Sequence, residues 1–125
     1  MHSLSATPNK YPYQNEPSWS RSEKAIARRV FDAALKRELQ HVMQEAKQKA
    51  NQMKEPGDLW GLERYLTQRR KDIDRKYDFR LSRLTPMLGT LLCERRITEP
   101  ELRGLGEDKV KAIRSLAKVL TEDAA

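Results

Sequence analysis

The sequence predicts an all-α protein in which two long helices form a hairpin, a small C-terminal helical head follows, and two copies form a homodimer. Of its 125 residues, 34% are charged and 6% are aromatic, a composition typical of exposed helices rather than of a deep core. Residues 21–54 contain neither Gly nor Pro. Further along the chain, Pro and Gly separate shorter segments with apolar residues at helical spacing.

The first helix begins sharply after a tail. Residues 1–17 contain three prolines and no apolar periodicity, which predicts disorder. Ser20, followed three residues later by Glu23, forms a capping-box pattern, and Trp19 precedes it as a hydrophobic staple. The helix is predicted to run from Arg21 to about Lys54. Its apolar stripe recurs every three or four positions: Ile26, Val30, Ala33, Leu39, Val42, Ala46, Ala50 and Met53.

A second helix is predicted from Asp58, as its cap, to Leu84, between Pro56-Gly57 and Thr85-Pro86. At 1.5 Å per residue the two helices span about 50 Å and 38 Å, longer than a globule of this size can cover. Exposed apolar stripes of that length are usually interfaces, which predicts a homodimer. The seam expected to pack the hairpin and the dimer is Leu59, Leu62, Leu66 and Ile73.

The head is predicted to contain two helices, at about 87–96 and 107–120. Thr98 and Glu101 repeat the capping-box pattern between them, before a break at Gly104-Leu105-Gly106. The expected organisation is therefore a tail over 1–17, a dimerising helical hairpin over 18–84 and a small helical head over 85–125.

The charge distribution indicates where an anionic partner would bind. The chain carries 25 basic and 18 acidic residues, a formal charge of +7, and the surplus lies within residues 21–84, where an anionic partner would be met. No segment approaches the roughly 20 apolar residues of a membrane span, and the first residues lack the apolar stretch of a secretory signal. Cys93 is the only cysteine and lies in an apolar run. Together these indicate a cytoplasmic protein without a membrane segment.

We find no candidate active site in the sequence. His2 and His41 are the only histidines, and neither has a Cys or His partner at metal-ligand spacing. Asp72, Asp74 and Asp78 alternate with basic residues, which predicts intrahelical ion pairs such as Asp72–Lys76 and Arg70–Asp74. The sequence therefore predicts a non-enzymatic protein that binds another protein and uses neither cofactor nor small-molecule substrate.

Nucleic-acid binding is an alternative. Gly104-Leu105-Gly106, followed by Lys109 and Ala112-Ile113, resembles a helix–hairpin–helix element whose backbone amides receive a phosphate. However, Glu107 and Asp108 stand where the phosphate would bind, and affinity for DNA depends mainly on neutralising phosphates. A simple helix break is therefore the favoured interpretation.

One block carries a family resemblance. Residues 58–66 read Asp-Leu-Trp-Gly-Leu-Glu-Arg-Tyr-Leu, and residues 69–80 read Arg-Arg-Lys-Asp-Ile-Asp-Arg-Lys-Tyr-Asp-Phe-Arg. This resembles the signature of the cyanobacterial fluorescence recovery protein family: D-L-W-x-L, an aromatic-Leu pair, a basic pair and I-D-x-K-Y-D-x-R. The resemblance extends over about residues 18–120, including the Trp19-Ser20 opening and the last helix.

The resemblance implies a homodimer without cofactor that binds the photoactivated, red form of the orange carotenoid protein, chiefly through that protein's C-terminal domain. Binding speeds the return to the orange form and restores phycobilisome fluorescence. The partner-binding residues it implies are Trp60, Glu63, Arg64 and Arg70. Because Arg70 interrupts an apolar seam, its guanidinium is expected to reach a carboxylate across the dimer or on the partner.

The sequence departs from the family pattern at two places. Glu63 and Arg64 stand where the family has a histidine and an aspartate, and Glu63 is hypothesised to take over the aspartate's pairing with Arg70. In the head, residues 84–89 and Ala112 replace residues of the surface that the family uses to touch its partner. A diverged family member that regulates another protein is therefore a further alternative.

Overall fold

The computed structural model describes residues 18–124, and every regular element within them is a helix. The helices are α1 (Arg21–Asn51), α2 (Asp58–Lys76), α3 (Leu81–Cys93) and α4 (Glu107–Ala124), with a 3₁₀ helix (Glu99–Leu102) between the last two. The predicted all-α class is confirmed. The tail predicted for residues 1–17 lies outside the described residues.

Both predicted capping boxes are present. The Ser20 hydroxyl accepts the Glu23 backbone N–H at 3.1 Å, and the Glu23 carboxylate accepts the Ser20 N–H at 2.9 Å. Thr98 and Glu101 make the equivalent pair at the start of the 3₁₀ helix. Each box satisfies backbone donors that the helix itself leaves without a partner, so these sites fix where the two helices begin.

The predicted end of the second helix is wrong. α2 ends at Lys76 rather than Leu84, and Pro86 lies inside α3. The cause is aromatic packing, because Tyr77 and Phe79 leave the helix and place their rings edge-on against Phe31, with ring centroids 5.4 and 5.3 Å apart. The predicted start of the third helix at residue 87 is therefore also wrong.

Asp58 acts differently from the predicted cap of the second helix. Gly57 occupies the N-cap position, and Asp58 is the first helical residue. Its carboxylate accepts the backbone N–H groups of Lys54 and Glu55 at 2.9 and 3.0 Å. Asp58 thus closes the α1–α2 turn by binding the chain behind it.

The hydrophobic core joins the first half of α1 to the C-terminal helices. α1 contributes Ala27, Val30, Phe31 and Ala34, which pack with buried residues of α3, α4 and the segment between them. The C-terminal members are Leu84, Met87, Leu88, Leu91, Ile97, Leu102, Leu105 and Ile113, and Trp19 completes the cluster. By contrast, the only buried residue of α2 is Ile73. The second half of α1 and α2 therefore form a hairpin with little core of its own.

None of the helices within residues 18–124 combines the length and apolar character needed to cross a bilayer.

Candidate functional site

The α1–α2 turn presents two large apolar side chains to solvent. Trp60 is 62% exposed and Leu59 is 54% exposed, and both lie in the first turn of α2. An open cleft of about 350 Å³ beside them is lined by residues that include Met53, Leu62 and Arg64. An exposed tryptophan near a shallow cleft is the kind of residue that anchors protein–protein interfaces.

The other sequence-predicted binding residues are also accessible. Glu63, Arg64 and Arg70 are exposed. The Glu63 carboxylate accepts the Thr67 hydroxyl one helical turn away at 2.9 Å. Within the described part of the chain, neither Arg64 nor Arg70 forms an ion pair, so the hypothesised Glu63–Arg70 contact is not made within one protomer. The structure leaves the Arg70 guanidinium free to meet a carboxylate of another molecule.

An apolar face runs along the hairpin. Leu39 and Met43 of α1 are 49% and 53% exposed, and Leu66 of α2 is 40% exposed beside them. Two shallow cavities of about 360 and 440 Å³ lie on this face, and both are lined by Leu35 and Leu39. Of the predicted interface residues, Leu59 and Leu66 are exposed and Leu62 is half-buried. Ile73 is 8% exposed because it packs within the protomer.

The face stays uncovered because α2 turns a polar side towards α1. The Tyr65 hydroxyl donates to the Glu45 carboxylate, and the Lys49 ammonium lies 4.8 Å from the centre of the Tyr65 ring. Further along, Arg69 and Lys76 both reach Glu38. The leucines of α2 therefore leave Leu39 and Met43 of the α1 stripe exposed, although Val42 between them is buried.

Sequence analysis missed the buried carboxylate at the base of the hairpin. The Glu38 residue is 1% exposed and accepts hydrogen bonds from Arg69 Nη2 at 2.7 Å, Lys76 Nζ at 2.7 Å and Tyr77 Oη at 2.8 Å. Arg96 Nε lies 3.7 Å away. The only sequence signal is that Glu38 follows Val30 and Ala34 at four-residue steps, inside the buried stripe.

The charges of this cluster stabilise one another. Burial alone would raise the pKa of the Glu38 carboxyl, but hydrogen bonds from Lys76, Tyr77 and Arg69 outweigh it and lower that pKa. Burial and the bond to Glu38 raise the pKa of the Tyr77 hydroxyl, so it remains a donor. Lys76 also donates to the Glu94 carboxylate at 2.5 Å. Glu38 therefore stays ionised although it is buried, because its partners compensate for the loss of water around the charge.

Neither of the two intrahelical pairs named for α2, Asp72–Lys76 and Arg70–Asp74, forms within the described residues, although Asp72 does pair within the helix. Lys76 turns to Glu38 and Glu94, and Asp72 lies 3.6 Å from Arg69, three residues before it. Tertiary partners win because Glu38 is buried, and a buried charge needs pairing far more than an exposed one.

The glycine segment is used inside the protein. The Gly106 N–H donates to Glu23 Oε2 at 2.8 Å, and Lys109, 4% exposed, lies 3.1 Å from Glu23 Oε1. The lysine also sits 5.3 Å from the Trp19 ring. Because an internal carboxylate already occupies the amide and the lysine, this segment is not arranged to receive a nucleic-acid phosphate.

No group of three or more His, Cys, Asp or Glu residues within residues 18–124 is arranged to hold a metal ion. His41 is exposed, with Nε2 3.2 Å from Glu45. Cys93 is a half-buried free thiol near the Thr121 hydroxyl.

Comparison with known proteins gives one consistent family. Residues 19–117 match the family model described as photoprotection regulator fluorescence recovery protein. The fluorescence recovery protein of Synechocystis sp. is 35% identical over 104 residues, which cover 83% of this chain and 95% of that protein. Its solved structure superposes with a TM-score of 0.77 over 81% of this chain and 99% of that chain. The Fremyella diplosiphon protein gives a TM-score of 0.76 at 36% identity, with the same coverage of both chains.

Proposed function

Because the chain belongs to the fluorescence recovery protein family, a family of non-enzymatic photoprotection regulators, we propose that it binds the photoactivated orange carotenoid protein as a homodimer. It engages the C-terminal domain of that partner in the cytoplasm and accelerates the red-to-orange reversion. This reverses the non-photochemical quenching of the phycobilisome. A partner that interacts differently with two states can change their interconversion without any covalent step.

The observation that carries the proposal is the exposed Trp60 within the family's signature block. Trp60 is 62% exposed beside a turn in which the Lys54 and Glu55 backbone N–H groups donate to the Asp58 carboxylate. Tryptophan is enriched among the few residues that dominate binding energy. We propose that Trp60 and Arg70 are the principal partner contacts, with Glu63 and Arg64 beside them.

Dimerisation through the apolar face is part of the same proposal. Leu39, Met43 and Leu66 are exposed together, and a second copy would remove them from water. Leu59, Leu62 and Ile73 continue this face along α2, so we assign them to the same interface. The Arg70 guanidinium lies in the α2 seam, where it can meet a carboxylate of the second copy or of the carotenoid protein.

The proposed activity is tested by following the dark return of photoconverted orange carotenoid protein. The wild-type chain should accelerate the return, with an effect that saturates with dose. Trp60→Ala should weaken binding by about 30-fold or more, the equivalent of a hot spot of at least about 2 kcal/mol. Lys24→Ala is the control, since Lys24 is exposed at the end of α1 that lies opposite the hairpin turn. No acceleration by folded wild-type protein would contradict the proposal.

The proposed dimer is tested separately by light scattering during size-exclusion chromatography. Leu66→Glu places a charge on the apolar face and should give a monomer, whereas Val119→Glu should leave the dimer intact. A wild-type monomer, or a Leu66→Glu dimer as tight as the wild type, would contradict this assignment.

A diverged regulator of another protein is the second candidate, favoured by Glu63 and Arg64 at the site. It predicts a folded dimer that does not act on the orange carotenoid protein but still binds some partner through Trp60. Salt-dependent retention on a DNA column with a steep affinity slope would instead favour nucleic acid.

A further inference from the structure

Glu38 lies where α1 leaves the core and enters the hairpin. The residues one and two turns before it, Ala34 and Val30, belong to the core cluster. Its carboxylate contacts Arg69 and Lys76 of α2 and Tyr77 of the α2–α3 connection, and lies 3.7 Å from Arg96 beyond α3. One buried side chain thus meets every segment that converges at the base of the hairpin.

The rest of α2 is weakly attached. Ile73 is its only buried residue, and the other polar links to α1, made by Tyr65, involve the exposed or half-exposed side chains of Glu45 and Lys49. Exposed contacts of this kind hold helices only loosely. Lys76 adds a second link, because its ammonium also binds Glu94 at the end of α3. The direction of α2 relative to the core therefore depends mainly on the groups around Glu38.

We infer that Glu38 is a positioning residue that fixes the direction of α2, and with it Trp60 and Arg70, relative to the core of α1, α3 and α4. The role of Glu38 in orienting α2 follows from these contacts alone. Only the consequence for partner binding rests on the proposed function.

A buried ion cluster suits this role better than an apolar contact would. Apolar side chains stabilise without directional preference, whereas the carboxylate accepts from donors at 2.7–2.8 Å on α2 and on the connection after it. A rotation of α2 would separate these donors and leave charges buried without partners, which is costly. Glu38 therefore selects one orientation among those that the small apolar contact at Ile73 would permit.

The inference is tested by measuring a distance distribution between α2 and α4. Spin labels are attached to Gln68→Cys and Ser115→Cys, both at exposed positions, in a Cys93→Ser background. Labelled protein is mixed with an excess of unlabelled protein, so that distances across a dimer do not contribute. Wild type should give one narrow distribution by double electron–electron resonance. Glu38→Gln should broaden it while far-ultraviolet circular dichroism keeps the helical signal.

Asp32→Asn is the matched control, because it removes the same charge from the same helix but from an exposed ion pair with Arg28. It should keep the wild-type distribution. An unchanged narrow distribution in folded Glu38→Gln protein would overturn the inference. If that variant does not fold, the double variant Arg69→Met and Lys76→Met decides. It removes both α2 donors to Glu38 without leaving a cation, and a wild-type distribution in it would likewise overturn the inference.

Partner binding provides a second readout. If the competent orientation of α2 is populated about one tenth of the time in Glu38→Gln, the apparent affinity for photoactivated carotenoid protein should fall about tenfold, with an unchanged rate at saturation. Wild-type affinity alongside a broadened distribution would refute the functional consequence. If wild-type protein itself has no effect on the carotenoid protein, the proposed function fails, while the distance measurement still decides the role of Glu38.

Discussion

Replacing Glu23 by glutamine should destabilise the protein by about 3 kcal/mol, because this side chain joins the start of α1 to the start of α4. Its oxygens accept the backbone N–H groups of Ser20 and Gly106 at 2.9 and 2.8 Å, and Lys109 Nζ lies 3.1 Å away. Ser20 and Lys109 face the same oxygen, Oε1, so a glutamine carbonyl placed there still accepts from both but turns an N–H₂ group towards the Gly106 N–H. The Lys109 side chain, 5% exposed, then has a neutral acceptor in place of the carboxylate, and its charged partner within the described residues is Asp108 at 3.7 Å.

The magnitude follows from the contacts that are lost. A hydrogen bond to a charged group contributes about 1.5–3 kcal/mol, and a helix cap about 1 kcal/mol. Breaking a buried ion pair by removing one partner costs about 3–5 kcal/mol. These contributions overlap, since one carboxylate makes all of them, and the acceptor that glutamine keeps reduces the total. A value near the lower end, about 3 kcal/mol, is therefore expected.

Urea unfolding followed by circular dichroism measures the effect, at one fixed protein concentration because dimerisation would make stability concentration-dependent. With an m-value of about 2 kcal/mol/M, the midpoint should fall by about 1.5 M. Glu122→Gln is the control, since Glu122 is exposed near the end of α4 and should change stability by less than about 0.5 kcal/mol.

The same contact predicts a pH dependence. Hydrogen bonds from the Ser20 and Gly106 backbone amides, aided by Lys109, lower the pKa of Glu23 from 4.5 to about 2. A lowered pKa in the folded state adds stability above pH 4.5, which is lost as the pH falls from 4.5 towards 2. The difference in free energy of unfolding between wild type and Glu23→Gln should therefore become smaller as the pH falls from 4.5 towards 2. A neutral-pH difference below about 1 kcal/mol, or a gap that does not change with acidification, would refute the reasoning.

The remaining predictions concern two further contacts. Gly104→Ala should lower the free energy of unfolding by about 1–3 kcal/mol, because the φ angle of Gly104 is +102° and an added Cβ would lie 2.5 Å from Ile26 Cδ1; Gly61→Ala, with open space inside α2, should instead stabilise by up to about 1 kcal/mol, and urea unfolding of both checks the contrast. Arg37→Lys should cost about 0.5–1 kcal/mol, because lysine cannot make the two parallel bonds of 2.9 Å that Arg37 donates to Glu101. A thermal melt as stable as wild type at low salt would contradict this prediction.

Local rules were sufficient to predict the starts of α1 and of the 3₁₀ helix, but not the end of α2 or the start of α3. The Ser20–Glu23 and Thr98–Glu101 boxes lie within four residues of sequence, so their partners are visible in the chain itself. The end of α2 depends on Tyr77 packing against Phe31, a contact between distant residues. In the sequence, the apolar spacing continues past Lys76 to Tyr77 and Leu84, and no Gly or Pro lies between Lys76 and Pro86 to end the helix earlier.

The candidate site was predictable to different degrees. Trp60 could be singled out by its place in a signature block beside a turn. Glu38 could not, since its partners lie 31 to 39 residues away, and a lone glutamate in an apolar stripe also fits the edge of an exposed face. Sequence spacing identified Arg70 as the residue that interrupts the seam. The structure adds that the neighbouring Arg69 turns to Glu38, while Arg70 stays exposed.

The two buried glutamates also explain the charge that the protein presents to a partner. Glu23 and Glu38 are buried, whereas Lys109 is the only buried basic residue within the described chain, so the exposed charge is still more positive than the formal balance. A basic surface attracts acidic partners of any kind and speeds their encounter. It does not choose between them, because long-range charge carries little shape information. Under the proposed function the choice falls to the short-range groups at the hairpin turn, and we infer that these keep one direction only while Glu38 holds α2 in place.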